Sequence, residues 1–71
     1  MTLTEAKALR QGDIIYHIEN KNADGSQQKW KVNGMTKLWK RSPERILIPL
    51  KHGLWNYAYL TEDNLCDFTC N

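Results

Sequence analysis

Residues 29–60 constrain the fold more than any other part of the chain, because apolar and polar residues alternate along them with two interruptions. The sequence there is KWKVNGMTKLWKRSPERILIPLKHGLWNYAYL. Alternation with a period of two is typical of β-strands that bury one face. The interruptions fall at Pro43 and Gly53, residue types that favour turns. The segment therefore predicts three antiparallel strands joined by turns.

Most of the basic charge of the chain lies in the same segment. It holds seven of the ten basic residues and one acidic residue, Glu44, which gives it a formal charge of +6, whereas residues 1–28 carry −1 and residues 53–71 carry −3. A basic surface attracts nucleic acid or an acidic protein. Alternatively, the acidic ends of the chain pack beside the segment and neutralise it. The charge balance leaves both interpretations open.

Large aromatic residues are concentrated there as well, namely Trp30, Trp39, Trp55, Tyr57 and Tyr59. A chain of 71 residues has a small core, so most of these rings are needed inside it. We expect Trp30 in the core and Trp39 exposed. The alternation puts Trp55, Tyr57 and Tyr59 on one face of a strand, and it leaves open whether that face is core or solvent.

Short helical turns are predicted at both ends of the chain. Thr2 and Glu5 have the spacing of a capping box, which favours a helix starting at Thr2. Thr61 precedes two acidic residues and predicts a second helical start. Leu65 and Phe68 are expected to anchor that second turn onto the core.

Four further patterns describe the strands and their connections. Residues 13–19 predict a first strand, because isoleucine and tyrosine favour β-structure. Residues 20–28 are polar and turn-rich and predict a long exposed hairpin loop around Asp24. Gly34 predicts a bulge or a sharp bend. Pro49 cannot donate a backbone hydrogen bond, so one side of its strand is expected to be a sheet edge.

Together these patterns predict a mainly β fold, a small and strongly bent SH3-like barrel of four to five antiparallel strands with short N- and C-terminal helical turns. It forms a single domain over residues 1–71. An OB-like barrel is the lesser alternative, because it needs more residues. No apolar run approaches the roughly 20 residues of a spanning helix, and residues 1–7 lack the apolar core of a signal peptide. We expect a cytoplasmic protein without a membrane partner.

The sequence contains no recognisable catalytic motif, so an enzyme is the least favoured class of function. His17 and His52 are the only histidines, and neither lies in a nucleophile motif. Cys66 and Cys70 could supply the four ligands of a zinc site together with these histidines. The spacing of the two cysteines, however, differs from the usual Cys-x-x-Cys. We expect no metal, no cofactor and two reduced thiols.

The basic and aromatic character of the central segment predicts the binding residues. Phosphate binding needs lysine and arginine on one surface, and single-stranded nucleic acid also needs exposed rings. Lys29 and Lys31 share one face of a strand and start a basic stripe. The predicted contacts to nucleic acid or to a protein partner are Lys29, Lys31, Lys37, Trp39, Lys40, Arg41, Arg45, Lys51 and His52.

The pattern K-x-W-K-R-S-P-E-R-I-x-I-P-L-K-H-G-L-W-N-Y, together with L-R-Q-G-D-I-I-Y-H and N-A-D-G, resembles a group of small proteins encoded by tailed phages and prophages. The resemblance covers residues 9–68. It implies a compact β-barrel, a phage or mobile-element origin and a place in the cytoplasm of the host cell, and it brings no catalytic residues. We therefore predict a non-enzymatic module that binds nucleic acid, DNA or RNA. The alternative is a phage-encoded module that binds an acidic host protein and inhibits or redirects it.

Overall fold

The computed structural model describes residues 1–70, which form one α-helix, six β-strands and one 3₁₀ turn. The elements, in chain order, are α1 (Leu3–Lys7), β1 (Ile14–Lys21), β2 (Gln27–Val32), β3 (Lys37–Leu38), β4 (Ile46–His52), β5 (Asn56–Thr61), the 3₁₀ turn (Leu65–Asp67) and β6 (Phe68–Thr69). Within residues 1–70, no helix combines the length and the apolar character that crossing a bilayer requires.

Strand β4 joins the two halves of the sheet, because it has partners along both edges. On one edge it pairs with β5 from Leu47 to His52. On the other edge β3 pairs with the beginning of β4 and β2 pairs with its end. β1 then pairs with β2, and β6 pairs with β1. All pairings are antiparallel, and the strand order is β5-β4-β2-β1-β6 with β3 beside β4.

The sheet is open. Among the described residues β5 pairs only with β4 and β6 only with β1, so the outermost strands are not hydrogen-bonded to each other. The predicted mainly β class is confirmed, with six strands in place of the four to five expected, and the closure of a barrel is not found. β3 and β6 account for the difference in strand number, because two residues are too few to produce a readable alternation.

One hydrophobic cluster holds the sheet and the helix together. Its buried members are Ala6, Ile15, Val32, Ile46, Ile48, Leu50, Leu60 and Phe68, and its half-buried margin is Met1, Leu3, Leu9, Trp30 and Leu65. The face of the sheet that carries these residues is the inner face. Leu60 comes from one edge of the sheet and Phe68 from the other, so the sheet wraps around its core without closing. Trp30, expected in the core, lies at its margin.

The predicted start of the N-terminal helix is confirmed, and that of the C-terminal turn is wrong. Thr2 Oγ1 accepts a hydrogen bond from the Glu5 N–H, and the Glu5 carboxylate accepts one from the Thr2 N–H. Thr61 is instead the last residue of β5, and the 3₁₀ turn begins at Leu65. The Thr61 N–H donates to the Asn64 side chain at 2.8 Å, which keeps Thr61 extended.

The hairpin loop between β1 and β2 is shorter than predicted. β1 continues to Lys21 and β2 begins at Gln27, which leaves residues 22–26 as the loop. Asn22 N donates to Ser26 O at 2.7 Å, and Gly25 has a φ of 89°, a left-handed conformation that favours glycine. The polar residues expected in the loop extend the ladder instead, because this part of the hairpin is exposed on β1 and only half-buried at Gln27 and Gln28, so it accepts polar side chains.

Pro49 lies inside the sheet, so the expected sheet edge at this residue is wrong. It pairs in register with Tyr59 of β5, and its carbonyl oxygen accepts from Asn33 N at 2.9 Å on the opposite side. Its missing N–H faces that same opposite side. The chain there leaves β2 and has not yet started β3. The break between these two strands therefore accommodates a proline that a continuous ladder would exclude.

Candidate nucleic-acid interface

The side chains between the core residues form a second surface, which we call the outer face. Because successive residues of a strand point to opposite sides, the neighbours of the buried Ile15, Val32, Ile48, Leu50 and Leu60 point away from the core. The outer face consists of Ile14, Tyr16, Lys29, Lys31, Leu47, Pro49, Lys51, Tyr57 and Tyr59. It contains three lysines and three tyrosines but no carboxylate.

One row of the outer face runs straight across four strands. The register joins Ile14 to Lys31, Lys31 to Lys51 and Lys51 to Tyr57. Neighbouring strands are about 4.8 Å apart, so the row spans roughly 15 Å. Lys29 lies two residues from Lys31 on the same face of β2. The pairings, and not the sequence order, bring Lys51 beside the two lysines of β2.

The three lysines line a depression of about 550 Å³ in the outer face. Its other lining residues are Gln11, Gly12, Ile14, Val32, Asn33 and Gly53. Lysines are the only charged residues of this lining. Lys31 and Lys51 are directly opposite each other, and like charges in a cross-strand pair destabilise a sheet. An anion bound between them would remove this repulsion, so the depression has the chemistry of a phosphate site.

Exposed rings lie on β5 and in the turn before it. Trp55 is 85% exposed, Tyr57 61% and Tyr59 57%. The Nζ of Lys51 lies 5.6 Å from the centre of the Tyr57 ring, within cation–π range. The alternation left the face of these rings open, and the structure puts them outside, because Ala58 and Leu60 pair with the core residues Leu50 and Ile48.

A second basic group surrounds Trp39. Arg45 Cζ lies 4.4 Å from the centre of the indole ring and Lys37 Nζ lies 5.2 Å from it. Trp39 was expected to be exposed and is half-buried, since these two side chains cover it. Lys40 and Arg41 are exposed in the following loop. This group can add positive charge near the outer face, but its ring is already occupied by cations.

His52 lies on the other side of β4 from Lys51. Its Nδ1 is 2.8 Å from the carbonyl oxygen of Lys29, and because a carbonyl only accepts, Nδ1 carries the proton. Its ring lies 5.2 Å from that of Trp30, centre to centre. These contacts give His52 a role in joining β4 to β2 and separate it from the lysine depression.

The nine predicted binding residues thus divide into three places. Lys29, Lys31 and Lys51 come together in the depression, the cations Lys37, Lys40, Arg41 and Arg45 lie with or near Trp39, and His52 faces inward. The prediction left out Tyr57, Tyr59 and Trp55. The presence of Ala58 and Leu60 at the alternate positions was the one sequence feature that favoured an exposed position for these rings.

The cysteines and histidines do not form a metal site within the described residues. Cys66 and Cys70 are exposed free thiols. Among residues 1–70 no three side chains of histidine, cysteine, aspartate or glutamate come close enough to hold a metal ion. His17 packs its ring edge-on against Phe68 at 5.0 Å, and its Nδ1 accepts from the N–H groups of Glu19 and Asn20.

Comparisons with known proteins give no relative for this arrangement. The chain matches no protein-family model, no curated protein and no solved structure.

Proposed function

We propose that this protein is a non-enzymatic module that binds nucleic acid through its outer face. The observation that carries the proposal is the depression lined by Lys29, Lys31 and Lys51, in which two of the lysines form a like-charged cross-strand pair. Lysines that bind phosphates displace condensed counterions, which provides the free energy of association. The exposed rings of Tyr57 and Tyr59 beside the lysines support the proposal further.

A salt titration of oligonucleotide binding tests this proposal. The double variant Lys31→Gln with Lys51→Gln is expected to bind at least tenfold more weakly at low salt, and to lower the slope of log K against log salt concentration by about 1 to 2, since each phosphate contact contributes about one unit. Lys7→Gln with Lys21→Gln is the matched control, because it removes the same charge away from the depression.

Two results would refute the proposal. One is that neither single strands nor duplexes bind at low salt. The other is that both double variants lose affinity equally, which would indicate attraction by net charge alone. A third variant, Lys37→Glu with Arg41→Glu, measures whether the group around Trp39 extends the contact.

A second candidate function is the recognition of a host protein, which the free edge of β5 favours. Asn64 Nδ2 donates to Tyr59 O at 2.9 Å, and Asn64 Oδ1 accepts from Thr61 N, so these backbone groups point away from β4. Tyr57 directs its N–H and C=O the same way, where a strand of a partner can pair. Residues 55–61 carry no charged side chain, the usual protection of an edge strand.

Two variants of one residue test the edge. Tyr57→Pro removes the N–H that faces outward, whereas Tyr57→Ala removes only the ring, and edge strands tolerate proline. A host protein that wild type and Tyr57→Ala retain from a nuclease-treated lysate, and that Tyr57→Pro loses, would support strand pairing. Capture that nuclease abolishes, or equal capture by both variants, would contradict it.

We further propose that the bent, open sheet is related to SH3-like barrels, that the chain is of phage or prophage origin, and that it acts in the host cytoplasm. The residue patterns of positions 9–68 support the first two proposals. Nuclear Overhauser contacts between β5 and β6 in solution would test the first proposal, and a phage genome that encodes the chain would test the second.

A further inference from the structure

We infer that the outer face binds single-stranded nucleic acid in preference to a duplex, with bases stacked on Tyr57 and on Trp55 of the adjoining turn, and with phosphates on Lys51, Lys31 and Lys29. This inference rests on the proposed function and specifies its ligand. It applies to DNA and RNA strands alike, because both present the same phosphates and base faces.

The first support is the order of groups along the row that crosses the sheet. Tyr57 occupies the edge strand, Lys51 the next strand and Lys31 the one after. The Tyr57 ring is therefore at one end of the row, and the two ammonium groups come next, before Ile14 at the far end. A single strand can lay its bases over the ring end and its backbone along the lysines, since its bases lie beside its phosphates.

The second support is the exposure of the rings. Trp55, Tyr57 and Tyr59 are all more than half exposed in a domain that has few large side chains to bury. Covering such rings releases water from a large apolar surface. Base faces are flat and apolar and suit this surface, and they are free only where bases are unpaired.

The third support is that, among the described residues, no strand pairs with the outer edge of β5, and the Asn64 side chain occupies this edge at Tyr59 and Thr61 but not at Tyr57. A base can approach Tyr57 and Trp55 from beyond the edge of the sheet as well as from above it. In a duplex the base faces are stacked on each other inside the helix, so a duplex would engage only the lysines. The row therefore distinguishes the two ligands by its rings and not by its charge.

Few groups of the row can read base edges. Ile14 has no polar side-chain atom, and the lysines are taken up by phosphates. Base–ring stacking tolerates every base, so we expect little dependence on sequence.

The test compares a 12-nucleotide single strand, as DNA and as RNA, with the matched DNA duplex over one series of salt concentrations. Wild type is expected to bind the single strands at least tenfold more tightly. Tyr57→Ala and Trp55→Ala are each expected to weaken single-strand binding by roughly 5- to 150-fold, the effect of losing one stacked base. Their salt slope stays that of wild type, whereas Lys31→Gln with Lys51→Gln lowers it.

Two variants serve as controls, and the results distinguish a failure of this inference from a failure of the proposed function. Tyr57→Phe keeps the ring and is expected to bind as wild type does, and Leu54→Ala removes an exposed side chain that is not aromatic. If duplex binds as tightly as single strand and Tyr57→Ala has no effect, the present inference is overturned and the proposed function stands. If nothing binds at low salt, the proposed function itself fails.

Discussion

At the scale of single residues, Thr2 and Glu5 show how two side chains determine where a helix begins. The Glu5 N–H donates to Thr2 Oγ1 at 3.1 Å, and the Thr2 N–H donates to Glu5 Oε1 at 2.9 Å. Hydrogen bonding with Thr2 lowers the pKa of Glu5 below that of a free glutamate, with the larger effect from the Thr2 backbone and the smaller from its side chain. The ionised carboxylate is therefore favoured in the folded protein.

This lowered pKa predicts a loss of stability in acid. The folded-state pKa of Glu5 is below its unfolded-state pKa. The stability that the ionised carboxylate contributes is therefore complete above the unfolded-state pKa, and it is lost as the pH falls through the folded-state pKa. Glu5→Gln keeps the capping geometry but does not titrate. As the pH falls from 7 to 3, the melting temperature of wild type should therefore fall by more than that of Glu5→Gln. A constant difference over that range would contradict the prediction.

At the scale of elements, the break between β2 and β3 depends on Gly34 and Pro49. A Cβ at position 34 would lie 2.9 Å from Cγ of Pro49, closer than side-chain contacts allow. The φ of Gly34 is not positive, so glycine is needed here for space and not for backbone conformation. Gly34 alone predicts a bend, but no local pattern indicates that Pro49, 15 positions further along the chain, fills it.

Gly34→Ala is therefore expected to lower the free energy of unfolding by about 1 to 2 kcal/mol through this overlap. In a Pro49→Ala background the ring is gone, and the same substitution should be neutral or stabilising by about 0.5 kcal/mol, because alanine restricts the unfolded chain more than glycine does. Urea denaturation of the four proteins measures both effects. An equal penalty in the two backgrounds would show that the Pro49 ring is not the cause.

At the scale of the whole molecule, the two ends of the chain complete one core. Ala6 of α1 and Phe68 of β6 are buried in the same cluster as the residues of β4. The Phe68 ring packs against His17 at 5.0 Å and against Trp30 at 6.4 Å, centre to centre. A domain of this size is stabilised by roughly 4 to 10 kcal/mol in total, so a single large ring at this position makes up a considerable share.

Phe68→Ala should cost about 3 to 5 kcal/mol and lower the denaturation midpoint strongly, or abolish folding at 37 °C. Phe68→Leu retains most of the volume and should cost less. Leu54→Ala, at a side chain 74% exposed, should change stability by no more than about 0.5 kcal/mol. Similar midpoints for Phe68→Ala and Leu54→Ala would show that β6 is not part of the cooperative unit.

The sequence predicted well those features that depend on near neighbours in the chain. The capping box at Thr2 and the turn at Pro43, where Arg45 N donates to Ser42 O at 2.9 Å, follow from residues three apart. Strict alternation of apolar residues also predicts which side chains of β4 point into the core. The candidate site was predicted in part: the lysines of β2 share a face by the same rule, but nothing local indicates that Lys51 lies beside them.

Near neighbours in the chain are enough to predict the mainly β class, the basic central segment and the alternation of apolar and polar residues. This is because side-chain periodicity and charge are local properties of the chain. Long-range contacts, in contrast, leave the sheet open and place Pro49 opposite the break between β2 and β3. They also turn Trp55 and Tyr57 to solvent and bring Lys31 beside Lys51. These outcomes depend on which strands pair and in which register, and pairing is decided by burying the whole core at once.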